Sequence, residues 1–349
     1  MNYEILMKKC IELAKLGTGK TSPNPLVGCV VLTSKDEIIS TGFHSKYGEN
    51  HAERDALLKL KNGEEVGGTL VVNLEPCTHF GKTPPCVDLI IERKIKKVVI
   101  GMRDVNPIVA GNGIAKLKSA NIEVVENVLN EECKKLNEIF IKNHLNKKSF
   151  ITIKTATTLD GKIATSNGSS KWITGANSRE KVKEIREKYD AMMTTSSTII
   201  TDNPTMAHSK KIILDRNLKT NLDFKIYKEG EIFLFHSEKH KPKFQRENIH
   251  FFATPEKNEK LDLDFIFKKA FELGIMSILI ESGGILNGEA LQYCDKIYHF
   301  IAPKITNDNS SKSCFNSSFI NNINECKIFK IEEVKKLSND ILLTYYPEI

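Results

Sequence analysis

The pattern of this chain is that of an α/β protein in two domains. At 349 residues it is longer than one hydrophobic core comfortably serves. Up to about residue 146, short apolar strands alternate with amphipathic helices. A polar Asn146-Lys147-Lys148 break then precedes a fresh strand at Phe150. Domains are therefore expected over residues 1–146 and 147–349.

The first sixteen residues have helical periodicity and end at Gly17 and Gly19, a C-terminal stop. They carry acidic side chains, so they do not read as a signal peptide. Strands are expected at 27–32, 70–74, 98–100 and 122–125. Between them, residues 51–60 form a helix with Ala56, Leu57 and Leu60 on one side, and Pro84-Pro85-Cys86 opens another through Val87, Leu89, Ile90 and Ile91. A helix over 131–145 closes the first domain. In the second, 277–281 reads as an apolar strand, Gly283-Gly284 as a turn into a helix, and 301–304 as a strand. The Ser/Asn-rich stretch 307–318 reads as a loop.

The net charge is +7, but the excess lysines are interleaved with glutamates, as in Lys181-Val-Lys-Glu-Ile-Arg-Glu-Lys188, which is the pattern of a solvated helix face. Basic strands rich in stacking aromatics are missing, so no nucleic-acid partner is expected; a modest positive field suits phosphorylated small molecules. Eight cysteines are too few for a disulfide scaffold at this length, and no apolar run approaches bilayer thickness. A cytoplasmic protein without disulfides or membrane contact is expected.

The chemistry is concentrated in His51-Ala52-Glu53, Glu75-Pro76-Cys77 and Cys86. One imidazole and two thiolates suit zinc, and a catalytic zinc takes three protein ligands and leaves a fourth position for water. His51, Cys77 and Cys86 are the expected ligands. Glu53 is then the free carboxylate that moves protons, as in zinc-dependent deaminases. Cys86 sits near a helix start, where the macrodipole favours a thiolate. Deaminases of nucleic acids usually carry Pro-Cys-x-x-Cys, whereas here eight residues, 78–85, separate the two cysteines.

That longer segment, Glu-Pro-Cys-Thr-His-Phe-Gly-Lys-Thr-Pro-Pro-Cys over 75–86, together with Pro23-Asn24-Pro25-Leu26-Val27-Gly28, resembles the deaminase half of the bifunctional riboflavin-biosynthesis deaminase/reductase family. Residues 150–162 and Ser169-Ser-Lys-Trp-Ile-Thr174 resemble its reductase half. The resemblance implies a cytidine-deaminase-like three-layer domain followed by a dihydrofolate-reductase-like α/β domain. It implies zinc-dependent deamination of 2,5-diamino-6-(5-phosphoribosylamino)pyrimidin-4-one, then NADPH-dependent reduction of the ribosyl group to ribityl. Asn24, His44, His79, Lys82 and Thr83 fall on substrate positions of the deaminase. Lys154 falls on a catalytic position of the reductase, with Ser170, Arg186 and Glu281 on its substrate side. Ala156, Trp172, Thr198 and Asp202 fall on nucleotide positions, and the Gly283-Gly284 turn is a candidate cradle for the pyrophosphate. A homo-oligomer is expected.

Two departures stand out. After Asp202-Asn203-Pro204-Thr205-Met206 the family pattern has Leu-Thr-x-Arg, whereas this chain gives Ala207-His-Ser-Lys-Lys211 directly before Ile212, so the arginine is missing and Lys210 or Lys211 is the expected substitute. The segment after Gly284 is shortened. Two rival readings follow: a C-terminal half kept only for dimerisation or substrate holding, and a nucleic-acid deaminase.

Overall fold

Asn2 starts the first helix, α1 (Tyr3–Lys15), by accepting from the N–H groups of Glu4 and Ile5. Leu6, Met7, Cys10, Ile11 and Ala14 recur every three or four residues and give it one buried stripe. The computed structural model describes residues 2–61, 63–80, 84–106, 111–316 and 321–348, and the chain divides into units Met1–Lys147 and Lys148–Ile349.

In the first unit, strands β1 (Gly28–Leu32), β2 (Ile38–Phe43), β3 (Thr69–Leu74), β4 (Lys97–Met102) and β5 (Glu123–Val125) form one sheet in the order β2-β1-β3-β4-β5. β1 is antiparallel to β2 and β3, and β3, β4 and β5 are parallel. Helices α2 (Ala52–Leu57), α3 (Cys86–Glu92), α4 (Asn112–Ser119), α5 (Asn130–Leu136) and α6 (Glu138–Asn146) complete it. Two glycines set the layers. A side chain at Gly28 would strike the backbone of Cys10 and Ala14 in α1, and one at Gly42 would strike the backbone of Ala52 and Ala56 in α2. Gly42 pairs with Cys29, the neighbour of Gly28, so the two glycines face opposite sides of the sheet. Helices therefore pack on both faces, giving three layers.

The expected strands form, with slightly shifted ends. β2 was not expected, because Ser40, Thr41 and Gly42 interrupt its apolar pattern. The single helix expected over 131–145 is two. At the break, buried Asn137 accepts from the N–H of Leu26 at 2.8 Å and donates to its carbonyl at 3.0 Å. This side chain ties the helix pair to the segment that carries Asn24.

The second unit is built on a nine-stranded sheet. Its strands are β6 (Phe150–Thr157), β8 (Ala191–Thr195), β9 (Lys210–Leu214), β10 (Glu231–Ser237), β11 (Ile249–Thr254), β14 (Ser277–Ile280), β15 (Lys296–Ile301), β17 (Phe329–Leu337) and β18 (Asp340–Pro347). Short pairs β7 (Lys162–Ala164) with β16 (Lys312–Ser313), and β12 (Glu256–Lys257) with β13 (Lys260–Leu261), lie outside it. The order is β11-β10-β9-β8-β14-β6-β15-β18-β17, parallel from β11 through β15 and antiparallel in the final hairpin. Helices α7 (Ala176–Arg186), α8 (Ser196–Asp202), α9 (Leu263–Glu272) and α10 (Gly284–Ala290) complete the unit. Alternate residues of each strand feed two cores, Met193, Ile212 and Phe233 against α9 and α10, and Met192, Ile213 and Leu234 against Ile199 of α8. The strand expected at 301–304 instead ends at Ile301; Pro303 has no N–H for a ladder. Within the 307–318 loop, residues 312–313 form a two-residue strand.

Candidate active sites

His51 stands in extended conformation at the N-cap of α2, and Glu53 lies in the first turn, 3% exposed. The Asp55 carboxylate accepts from the N–H of Phe43 at 3.1 Å, and the glycine at 42 lets this turn sit close to β2. Cys77 follows β3. Its approach is fixed by Glu75, a buried carboxylate that accepts from the N–H groups of Asp104, Gly111, Gly113 and Ile114 at 3.0–3.2 Å and so caps α4, which has no side-chain cap of its own. Cys86 opens α3 and donates its N–H to Cys77 Sγ at 3.4 Å.

These elements bring His51 Nδ1 to 3.5 Å from each of the two sulfurs. Two thiolates and an imidazole around a tetrahedral zinc, at about 2.3 and 2.0–2.1 Å, stand roughly 3.6 Å apart from nitrogen to sulfur. The donor set and its spacing fit zinc; among the described residues this is the one group of three close metal-ligating side chains. Donation from Cys86, outweighing burial, holds the Cys77 thiol below its ordinary value, while the same bond raises Cys86. His51 is raised by its hydrogen bond to Cys77. Burial, helped by the charge on Cys77, pushes the Glu53 carboxyl up to about 7.

The three ligand positions and Glu53 adjoin a cavity of about 530 Å³, to which His51, Glu53 and Cys77 contribute directly. Asn24, His44 and His79 line it as expected. His44 Nδ1 lies 3.0 Å from the Asn50 carbonyl, so that nitrogen carries the proton; His44 Nε2, 3.2 Å from Asn24 Nδ2, must then accept. Burial lowers the His44 pKa, in keeping with the neutral ring. Among the described residues, His79 Nδ1 is buried without a hydrogen-bond partner. Lys82 and Thr83 lie outside the described residues. Sequence reasoning missed Tyr47, Asp104, Asn106, Phe140 and His144 in the wall. Asp104, raised to about 6 chiefly by burial, follows the carboxyl end of parallel strand β4, a position that could have marked it.

In the second unit a cavity of about 830 Å³ opens at the carboxyl ends of the adjacent parallel strands β8, β14 and β6, where open α/β sheets receive ligands. Lys154, Ala156, Ser170, Trp172, Arg186, Thr198, Asp202, Glu281 and Gly283 all line it. Arg186 grips Glu281 with two bonds of 2.8 and 2.9 Å, and Lys154 Nζ lies 3.6 Å from the same carboxylate. Burial raises a carboxyl, yet Lys154 and Arg186 together hold Glu281 below its ordinary value. Ser170 reaches Asp202 at 3.4 Å, and the exposed Trp172 ring lies 4.6 Å from the Arg179 guanidinium. A side chain at Gly283 would meet open space, so backbone faces the cavity there. The size and the exposed indole fit a dinucleotide.

Two residues lie elsewhere than expected. Gly284 is a packing glycine: a side chain there would strike the backbone of Ser313 and Cys314, and it does not line the cavity. Lys211 does not replace the missing arginine. It is buried and donates to the carbonyls of Ile226 and Glu229 at 3.0 and 2.7 Å, and neither Lys210 nor Lys211 lines the cavity. Sequence reasoning missed Arg179, Lys183, Ser197 and Lys312 in the wall.

Comparison with known proteins follows the same division. The family described as RibD C-terminal domain matches residues 149–343, and that described as cytidine and deoxycytidylate deaminase zinc-binding region matches residues 1–102. The riboflavin biosynthesis protein RibD of Actinobacillus pleuropneumoniae is 39% identical over 354 residues, covering 97% of this chain and 94% of the relative. That of Aquifex aeolicus is 38% identical and covers 97% of both. Among solved structures, a diaminohydroxyphosphoribosylaminopyrimidine deaminase/5-amino-6-(5-phosphoribosylamino)uracil reductase from Thermotoga maritima is 38% identical, with TM-score 0.89 and coverage of 99% and 98%. Acinetobacter baumannii RibD is 32% identical, with TM-score 0.89 and 99% coverage of both chains.

Proposed function

This chain belongs to the RibD family of riboflavin biosynthesis proteins, and we propose that its two units divide the family's two reactions, deamination in residues 1–146 and reduction in residues 147–349. The protein is a bifunctional deaminase and reductase, with zinc serving the first activity and NADPH the second. The substrate is read as 2,5-diamino-6-(5-phosphoribosylamino)pyrimidin-4-one. Its deaminated product is the compound reduced, as in the reactions that name the Thermotoga relative. The observation that carries this reading is the triangle of His51, Cys77 and Cys86 beside a cavity whose wall holds the buried carboxylate of Glu53.

His51, Cys77 and Cys86 hold the zinc, which when bound supplies a Lewis acid that makes water nucleophilic near neutral pH. Glu53, two residues beyond His51 and shut away from solvent, takes the proton released by the attacking water. It gives that proton to the ring nitrogen, then takes a second from the hydroxyl now on the ring carbon and passes it to the departing amine, which leaves as ammonia as the carbonyl forms. Asn24 spends its N–H on His44 Nε2, so its Oδ1 is left to accept from a donor edge of the pyrimidine.

In the second unit NADPH supplies the reducing equivalents when bound. Lys154 donates a proton to the oxygen of the opened sugar, and Glu281, fixed by Arg186, accepts from sugar hydroxyls. Ser170 serves the substrate side, and Ala156, Trp172, Thr198, Asp202 and the Gly283 backbone form the nucleotide side. Lys82 and Thr83 are assigned to the deaminase substrate by motif alone.

Among the described residues no helix is long and apolar enough to cross a membrane. A cytoplasmic homo-oligomer that does not bind nucleic acid is part of the proposal. Eight cysteines, none in a disulfide among the described residues, support a reducing compartment, and the edge strand β17, exposed along most of its length with Ile331 and Val334 outward, supports self-association.

The test follows ammonia release and NADPH oxidation in one sample. Zinc removal is expected to stop ammonia release. Glu53→Gln is expected to slow it by roughly 10²–10⁴-fold and to spare NADPH oxidation on supplied deaminated product; Lys154→Ala is expected to do the reverse. Zinc-loaded protein that releases no ammonia would overturn the substrate assignment. Ammonia without NADPH oxidation would leave the second unit a holding module.

A further inference from the structure

A second cavity in the C-terminal unit, of about 530 Å³, shares residues 170–173 as a wall with the reductase cavity. Three lysines line it: Lys162, Lys171 and Lys304. Lys162 Nζ donates to the Ser311 carbonyl at 3.3 Å and Lys304 Nζ to the Trp172 carbonyl at 2.6 Å, so main-chain oxygens hold both ammonium groups beside the space. Among the described residues none of the three lysines forms an ion pair. In the reductase cavity Lys154 and Arg186 are paired with Glu281 and Lys183 with Glu180, while Arg179, Lys312 and the shared Lys171 form no ion pair among the described residues.

The carboxylates nearby are already engaged. Asp308, on the wall, accepts from Ser310 and Ser311. Asp160 accepts from Thr158, Thr306 and Asn307. Thr165, Ser166 and Ser169 line the same space, with the Ser166 side chain bonded to Asp308 and Thr165 Oγ1 accepting from the Ser169 N–H. Cations without carboxylate partners, set among hydroxyl donors, are the chemistry of an oxyanion seat. The chain has the matching deficit, since the 207–211 segment lacks an arginine and Lys211 is turned into the interior.

We propose that this cavity seats a phosphate monoester during the reductase reaction, held by Lys162, Lys171 and Lys304. The proposal rests on the reductase reading given above. The phosphate comes either from the 5′ position of the ribosyl substrate or from the 2′ position of the nicotinamide nucleotide.

The experiment uses full-length, zinc-loaded protein and the double variant K162Q/K304Q. Glutamine keeps an N–H for each carbonyl and removes the charge. Calorimetric dissociation constants are compared for NADP⁺ and NAD⁺, and reductase KM values for the deaminated substrate with and without its 5′-phosphate. A rise of roughly tenfold or more for NADP⁺ alone supports the proposal and assigns the 2′-phosphate. The same rise for the phosphorylated substrate alone supports it and assigns the 5′-phosphate. Four unchanged constants, or equal rises for a phosphorylated compound and its dephosphorylated counterpart, overturn it. Ammonia release serves as the folding control. If the double variant loses it, Lys304→Gln, at an exposed lysine bonded to one carbonyl, is read by the same criteria. Wild-type protein that oxidises no NADPH would overturn the reductase reading itself, and this proposal with it.

Discussion

His299 lies largely enclosed in the second unit, with Nε2 2.8 Å from Thr157 Oγ1, and burial lowers its pKa from 6.5 to about 4. Between those values the unfolded chain binds a proton that the folded chain does not. Stability present above pH 6.5 is therefore lost as the pH falls toward the folded value, by up to about 3 kcal/mol for a shift of this size. His299→Gln keeps a polar partner for Thr157 and cannot titrate. Its melting temperature is expected to fall less steeply than the wild type's from pH 6.5 to 4.5, and equal slopes would assign the pH dependence to other groups. Titrating residues of this kind were invisible in the sequence because enclosure, not residue type, makes them unusual. The grouping of His51, Cys77 and Cys86 beside Glu53 was legible for the opposite reason: a histidine, two thiols and a carboxylate at that spacing carry their chemistry in their types. The walls around them, Asp104, Phe140 and His144, come from after β4 and from α6, and only tertiary packing brings them to His51.

Helix α7 carries Arg179, Lys183 and Arg186 to the reductase cavity, and its N-cap residue, Gly175, has no side chain with which to start it. Asp340, in the final hairpin, accepts from the Gly175 N–H at 2.7 Å and from Ser178 Oγ at 2.5 Å. It does from a distant strand what a carboxylate in a helix's own first turn does in a capping box. Asp340→Ala is expected to destabilise the second unit by about 1–2 kcal/mol, seen as a lower urea midpoint with an unchanged m-value. A midpoint within error of wild type would mean that water caps α7 equally well. Partnerships like this one explain which elements could be read in advance. The largely apolar β1 and β3 were legible from composition alone. β2 was hidden by Ser40, Thr41 and Gly42, although that glycine is what lets α2 seat its first turn, and the break at Asn137 depended on Leu26, 111 residues away.

The two units have separate hydrophobic cores, one drawn from residues between 6 and 133 and the others from residues beyond 150. The proposed zinc ligands all belong to the first unit. A ligand that binds only the folded state adds RT ln(1 + [L]/Kd) to stability, about 4 kcal/mol when zinc is present at a thousand times its dissociation constant. That increment falls on the unit that contains the ligands, since unfolding of the other need not release the metal. Calorimetric unfolding of the zinc-loaded protein is therefore expected to show a zinc-dependent transition that moves to lower temperature on chelation and a second that stays in place. Chelation should remove ammonia release along with the first transition and leave NADP⁺ affinity intact. If both transitions moved together, the units would unfold as one cooperative body and the separation of cores would have no thermodynamic counterpart. If neither moved, His51, Cys77 and Cys86 would not be binding zinc in the folded chain, and the deaminase assignment would lose its foundation.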